Sequence, residues 1–169
     1  MSDLLQRLYV GCPVSRATDR LTGFFRERAG DGAWESGKPI RVALRAPIPL
    51  PSLRTSVILQ HDVIATLRHL PQAWGNDCFD VLCEPSGGGV FPHFTGTLSI
   101  ENNEDFDSFS LVLKGSYDPP LGPAGQAFDA ALGHRIAIAT ARDLLARIRD
   151  EIEKSEESEE QEKISQHLA

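Results

Sequence analysis

The clearest hydrophobic pattern lies near the C-terminus. Between Gln126 and about Lys154, apolar residues recur at steps of three and four with one longer gap, which is the spacing of one face of an α-helix. The residues of this stripe are Phe128, Leu132, Ile136, Ala139, Leu145, Ile148 and Ile152. Alanines fill much of the remainder, and alanine is the residue that favours helices most. The pattern predicts one long helix, preceded by the proline- and glycine-rich hinge Pro119–Gly125, which cannot itself be helical.

Before this helix in the chain, apolar residues recur at every second position. Apolar and polar residues alternate over five stretches, which predicts β-strands with one apolar and one polar face. These stretches begin at Ile40, Arg54, Cys78, Phe94 and Phe109. Short polar turns join them, so we expect an antiparallel meander. Three prolines between Ala46 and Ser52 predict an extended connection rather than a strand in that interval.

The N-terminal part predicts one further strand and one helix. Leu8, Val10 and Cys12 alternate with polar or small residues, which indicates a first strand ending near Pro13. Ser15 is then a candidate N-cap for an amphipathic helix over Arg16–Arg28. The whole order predicts an α+β fold, in which the long C-terminal helix covers the apolar face of an antiparallel sheet of about six or seven strands.

Length and charge bound the domain organisation. We expect a single domain over residues 1–154, because 169 residues are enough for one hydrophobic core and too few for two. Residues 155–169 are rich in glutamate and serine, and they predict an acidic tail that is either frayed helix or disordered. The net charge of −7 argues against nucleic-acid binding, which depends on cationic side chains that meet phosphates.

Several classes of site and location are not expected. Cys12, Cys78 and Cys83 fit no zinc or redox spacing, so we predict reduced thiols. The N-terminus has no signal-peptide pattern, and no stretch approaches 18 apolar residues, which favours a cytoplasmic protein without a membrane span. The sequence contains no HExxH, CxxC or GxSxG motif, and its five histidines are scattered. We therefore expect no metal site and no cofactor.

The two C-terminal strands and the helix that follows them carry a family resemblance. One strand contains Phe94-x-Gly-x-Leu98 and the next contains Leu113-x-Gly-x-Tyr117. The hinge Pro119–Gly125 then leads into Asp129 and His134-Arg135. This arrangement resembles the bacterial members of the START-like superfamily, which include polyketide cyclase-like and lipid-transfer proteins and have the helix-grip fold.

The resemblance implies a curved antiparallel sheet that wraps around the C-terminal helix, with a cavity for an apolar molecule between them. A concave sheet under an alanine-rich helix agrees with that expectation, because small side chains leave space. The predicted lining combines the inward face of the strands with the helix stripe: Val57, Leu59, His61, Val63, Phe79, Val81, Phe94, Leu98, Phe109, Leu111, Leu113, Leu132, Ile136 and Ala139.

Few polar residues are candidates for chemistry in such a cavity. His61 and His69 both fall on the inward face of the longest strand, where His61 could bond a ligand or act as a general base, and where either could simply be a core histidine. Tyr117 could present its hydroxyl at the cavity mouth or brace the hinge. No residue set compels an enzyme.

Three functions follow from these patterns. The first is a non-catalytic module that binds a small hydrophobic molecule of lipid or polyketide type. The second is a cyclase- or dehydratase-like enzyme without a metal, in which His61 would be the general base and Tyr117 would orient a carbonyl. The third is a protein-interaction module, which acts as a homodimer or with a different protein partner through the acidic tail or the final helix.

Overall fold

The computed structural model describes residues 1–30, 34–50, 55–72, 76–86, 93–118 and 126–167. The hinge Pro119–Gly125 therefore lies outside the described residues. Within the described part, six strands and two helices follow one another in the order β1 (Ser2–Val10), α1 (Val14–Arg28), β2 (Pro39–Leu50), β3 (Thr55–Leu70), β4 (Cys78–Pro85), β5 (His93–Asn102), β6 (Phe109–Asp118) and α2 (Gln126–His167).

The six strands form one antiparallel sheet in the order β1-β6-β5-β4-β3-β2. Strands β2 to β6 are the predicted meander, and β1 returns to pair with β6. The sheet curls into a half-barrel, and α2 lies in its concave side in contact with both outermost strands, β2 and β1. This arrangement confirms the predicted α+β, helix-grip architecture.

The core lies between the concave face and α2. Side chains alternate across each strand, so every second residue turns inward. In β6, for example, Phe109 and Leu111 are completely buried, and in α2 the same is true of Ile148. Helix α1 adds a second apolar surface through Leu21 and Phe25. The buried residues from both helices and all six strands belong to one contiguous cluster.

Strand β2 differs from the prediction for residues 46–50, while residues 51–52 lie outside the described ones. It continues through the prolines to Leu50, pairing with β3 as far as Leu50↔Thr55. Backbone groups of successive residues point to opposite edges of a strand. The backbone carbonyl of Ala43 accepts a hydrogen bond from Arg147 of α2. The backbone N–H and C=O groups of odd-numbered residues in β2 therefore point away from β3. Pro47 and Pro49 share that parity, and their missing N–H groups therefore cost the ladder nothing.

Helix α1 begins two residues earlier than expected. Its first residue is Val14, its N-cap position is Pro13, and no side chain caps the helix there. The prediction that Ser15 is the N-cap is therefore wrong. Proline fixes φ near the value that the chain needs when it enters a helix. Pro13 thus starts the helix through its ring rather than through a hydrogen bond.

Helix α2 also extends further than expected. The sequence predicts frayed helix or disorder after Lys154, and the structure continues the helix to His167. The first part of this extension contacts α1, because Arg20 pairs with both Glu156 and Glu159 and Arg16 pairs with the same two carboxylates. These ion pairs give residues 155–159 a partner surface that hydropathy alone does not reveal.

Candidate functional site

A small apolar cavity lies between the concave face of the sheet and α2. Its volume is about 60 Å³. The lining residues come from β1, β2, β4, β5, β6 and one face of α2: Leu4, Leu44, Val81, Cys83, Phe94, Leu113, Tyr117, Ala137, Thr140, Ala141 and Leu144. Most of these side chains are aliphatic or aromatic, so the cavity suits an apolar group.

Small residues on the helix create part of this space. Ala137 and Ala141 are one helical turn apart, and both are buried against the sheet. A larger side chain at either position would project into the cavity. Thr140 and Leu144 continue the same face at the helical spacing, so four residues of α2 close the cavity on one side.

A pair of glycines shapes the opposite wall. Gly96 of β5 and Gly115 of β6 are register partners on the inward face. A Cβ on Gly96 would lie 2.2 Å from the backbone oxygen of Lys114 and 2.7 Å from the ring of Phe94. Real Cβ atoms do not approach that closely. The glycine pair therefore allows β5 and β6 to meet tightly and allows the Phe94 ring to fold over the sheet and line the cavity.

Two hydroxyl groups interrupt the apolar lining. The hydroxyl oxygen of Thr140 is buried and has no hydrogen-bond partner within the described part of the chain. The hydroxyl of Tyr117 shares a hydrogen bond of 2.9 Å with Nδ1 of His134. Buried hydroxyls are normally satisfied, because an unpaired one costs about 1–3 kcal/mol. Thr140 is thus the polar group of this cavity that remains available to a bound molecule.

Cys83 lines the cavity with an uncharged thiol rather than with a reactive thiolate. Burial raises the pKa of its thiol to about 12. The thiolate, which is the nucleophilic form, is therefore scarce near neutral pH. Cys12 is similar, since burial and the neighbouring Glu156 carboxylate raise its pKa to about 12. In the described residues all three cysteines are free thiols.

The structure places the predicted lining residues in three groups. Val81, Phe94 and Leu113 line the cavity together with Tyr117. A second group is buried in the surrounding core without lining the cavity, namely Val63, Phe79, Leu98, Phe109, Leu111 and Ile136. A third group lies elsewhere. Val57 is 44 % exposed near the start of β3, Leu59 and His61 are half-buried beside it, and Ala139 lines an outer groove. The side chain of Leu132, like that of Asp129, falls outside the described residues.

The lining residues that were not predicted fall into two groups, one on strands and one on α2. Leu4 and Leu44 lie on strand faces that alternate in the predicted way, so their inward orientation could be found from the period of two. Ala137, Thr140, Ala141 and Leu144 form a helical face rotated by one residue from the predicted stripe of Ile136 and Ala139. Because alanines occur on both sides of α2, the sequence does not show which of these two faces turns toward the sheet.

The two histidines of β3 have separate surroundings. His69 lies outside the cavity, where its ring stacks on Phe79 with centroids 4.8 Å apart. Its Nε2–H donates to Oδ2 of Asp77 over 2.7 Å, and Thr18 of α1 donates to the same oxygen over 2.9 Å. His69 therefore joins β3 to α1. His61 pairs in register with Leu44, yet it does not line the cavity that Tyr117 lines.

Metal-binding and membrane-crossing features are both missing from the described ranges. No group of three His, Cys, Asp or Glu side chains there could hold a metal ion. Both α1 and the described length of α2 lack the combination of length and apolar character that a membrane-crossing helix needs.

Comparison with known proteins supports the fold. No family model matches the chain, and no curated protein matches it. Among solved structures, the protein TTHA0849 from Thermus thermophilus superposes with a TM-score of 0.54 at 12 % identity, covering 91 % of this chain and 99 % of that one. A START superfamily protein from Mycobacterium smegmatis gives a TM-score of 0.37 at 11 % identity, covering 88 % and 97 %. A protein from Nitrosospira multiformis gives 0.39 at 14 % identity, covering 83 % and 94 %.

At these identities the likeness concerns the fold alone. A curled antiparallel sheet of six strands holds a long C-terminal helix in its concave side. The chain therefore has an α+β, helix-grip fold.

Proposed function

We propose that the protein binds a small apolar or amphipathic molecule, of lipid or polyketide type, between the sheet and α2. The observation that carries this proposal is the apolar cavity in which the Thr140 hydroxyl is buried without a partner among the described residues. Ligand sites are typically apolar pockets with a few polar groups that orient the molecule. The lining residues and Thr140 match that description.

The proposal requires the cavity to expand when it is occupied. Its volume of about 60 Å³ is well below the range of roughly 300–1,000 Å³ that is usual for small-molecule sites. The Tyr117–His134 hydrogen bond joins β6 to α2 on either side of the hinge. Opening this contact would let the N-terminal part of α2 move away from the sheet, which enlarges the cavity at that end.

Binding accounts for the lining better than catalysis does. A cyclase- or dehydratase-like reaction needs a general base within hydrogen-bond reach of its substrate. None of the described lining residues is a histidine or a carboxylate, and His61, the candidate base, lies off the cavity. Thr140 and Tyr117 can orient a carbonyl or hydroxyl group, but a neutral hydroxyl is a poor base. These facts favour a binding module.

Native mass spectrometry of the protein purified from its host tests the proposal. We expect a species heavier than the chain by one small molecule, and we expect denaturation in organic solvent to release that molecule as an apolar compound. The proposal fails if the protein carries no adduct when it is purified and gains none after incubation with fatty acids, sterols and aromatic polyketides. Incubation matters because a weakly bound ligand can be lost during purification.

A further inference from the structure

The hydroxyl of Thr140 differs from the other side-chain hydroxyls of α2. Ser155, Ser158 and Ser165 each donate to the backbone carbonyl four residues earlier, over 2.9 Å. Hydroxyls inside helices commonly make this bond. Thr140 does not make it, because its hydroxyl oxygen is buried and has no partner among the described residues. Its O–H group is therefore left to bond a molecule in the cavity that Thr140 lines.

The other polar groups of the described lining are uncharged as well. They are the phenol of Tyr117 and the thiol of Cys83, whose pKa burial raises to about 12. Neither group is ionised near neutral pH. His134 bonds the Tyr117 hydroxyl, but it lies at the surface of α2 and is not among the described lining residues. An ionised group that entered this space would therefore lose water without meeting an opposite charge.

Three basic residues directly follow lining residues in the chain, and each has its charge outside the cavity. The guanidinium of Arg45 pairs with Asp143 at 3.3 Å. Arg142 donates to the side-chain oxygen of Gln6 over 2.9 Å. Lys114 is exposed. None of the three is part of the described lining, so none supplies a positive charge to a bound molecule there.

The rest of the sequence adds one basic residue to this comparison. Outside the described ranges the sequence contains no lysine or histidine, and its single arginine there is Arg54. The next residue, Thr55, begins β3 and lies six residues before His61, which is the register partner of the lining residue Leu44. Six residues of extended strand span about 20 Å. The sequence thus offers no cation beside the cavity.

We infer that the molecule bound in the cavity is uncharged and carries a carbonyl or hydroxyl oxygen that accepts a hydrogen bond from Thr140. This inference rests on the proposed binding function and narrows its ligand class to neutral compounds such as alcohols, ketones and esters. Such an oxygen satisfies the Thr140 O–H group and needs no opposite charge. A carboxylate also accepts that bond, but its charge is then buried without a cation, which is strongly unfavourable.

Two matched pairs of probes test the charge requirement. Decanol and decanoate share one chain, and naphthol and naphthoate share one ring system, while at about pH 7.5 only the two acids are ionised. Isothermal titration calorimetry of the full chain measures the Kd of each probe. We expect at least one pair to bind, and we expect its neutral member to bind at least about tenfold more tightly than its acid.

Thr140→Val tests the hydrogen bond separately from the charge. We expect the substitution to raise the Kd of the neutral probe about tenfold, because the oxygen of the probe loses its donor. Decane and naphthalene are the controls, since they have no oxygen for Thr140, and the substitution should not weaken their binding. The preference for the neutral probe over its acid should remain, because the variant adds no cation. A hydrocarbon weakened as much as its alcohol would contradict the role of Thr140.

The molecule that co-purifies from the host gives an independent readout. We expect it to pass through an anion-exchange resin with the neutral compounds of the extract. If it is retained there as an acid, or if an acid probe binds as tightly as its neutral partner, the inference is overturned and the binding proposal stands. If no molecule co-purifies and no probe binds, the binding proposal fails and the inference fails with it.

Discussion

The hydroxyl of Tyr117 and Nδ1 of His134 are 2.9 Å apart, and their rings stack with centroids separated by 6.2 Å. Tyr117 lies at the end of β6 and is 2 % exposed, while His134 lies at the surface of α2. The contact joins the two elements on either side of the hinge. It therefore joins α2 to the sheet near the cavity, which Tyr117 lines.

Removal of the Tyr117 hydroxyl should loosen this contact without emptying the core. We expect Tyr117→Phe to lower the free energy of unfolding by about 0.5–1.5 kcal/mol, which is the usual net contribution of a hydrogen bond. Urea unfolding of the single variants Tyr117→Phe and His134→Ala and of the double variant measures the coupling. The two effects should be less than additive, because both substitutions break the same bond. Strict additivity would show that the two residues do not interact.

The glycine pair gives a sharper prediction. Gly96→Ala places a Cβ 2.2 Å from a backbone oxygen of β6, which a small side-chain adjustment cannot relieve. We expect a loss of about 3 kcal/mol or more in the free energy of unfolding, measured by urea denaturation. Gly23→Ala in α1 is the matched control, because a Cβ there meets nothing within 4 Å. That change should stabilise the protein by about 0.5–1 kcal/mol through the higher helix propensity of alanine.

Asp77 makes stability depend on acidity. Burial alone would raise the pKa of this carboxyl, but hydrogen bonds from the Gln72 N–H, His69 and Thr18 outweigh burial and hold the pKa below its ordinary value of 3.8. The unfolded chain therefore binds more protons than the folded chain between these two pKa values. The contribution of Asp77 to the free energy of unfolding is complete above pH 3.8. It is lost as the pH falls through the pKa that Asp77 has in the folded protein.

This relation is tested by urea unfolding at a series of pH values from about 5 to about 2.5. We expect wild-type stability to fall over this range, and we expect the fall to be smaller in Asp77→Asn, since an amide does not take up the proton. The variant should also be less stable than wild type at neutral pH. An equal acid dependence in both proteins would mean that Asp77 is not the group responsible.

Thr140 separates stability from binding. Thr140→Val replaces a hydroxyl that has no partner among the described residues by a methyl group of similar size in an apolar wall. Without ligand, we expect the variant to be more stable than wild type by about 1 kcal/mol, because it no longer buries an unsatisfied polar group. Thermal unfolding measures this gain. If the hydroxyl orients the bound molecule, the same variant retains a hydroxyl- or carbonyl-bearing ligand less well. A variant that is less stable than wild type without ligand would contradict the view that the Thr140 hydroxyl is buried without a partner.

The sequence predicts the sheet well because most of its strands bury one face much more than the other. Leu98 and Ile100 in β5, and Phe109 and Leu111 in β6, follow the period of two, and all are buried. Such alternation is a local property, and one residue of slip would expose every apolar side chain. The order of elements then leaves few ways to cover the apolar face, so the helix-grip arrangement could be inferred.

The lining of the cavity is less predictable, because it depends on contacts between distant parts of the chain. Leu4 and Leu144 meet only once β1 has returned to pair with β6. Where Ala137 and Ala141 face inward, α2 is also joined to β2 by ion pairs such as Arg45 with Asp143. Neither the pairing partner of β1 nor those ion pairs can be derived from local periodicity. Sequence reasoning therefore finds the architecture and only part of the site.

A matched pair of substitutions on α2 tests the binding proposal most directly. Ala141 faces the cavity, and Ala139 lines the groove on the outer side of the same helix. Native mass spectrometry of wild type, Ala141→Leu and Ala139→Leu, each purified in parallel from the host, measures how much small molecule each retains. The cavity account predicts that wild type and Ala139→Leu carry one molecule per chain and that Ala141→Leu, while folded, carries none. Equal retention by the two variants would contradict it.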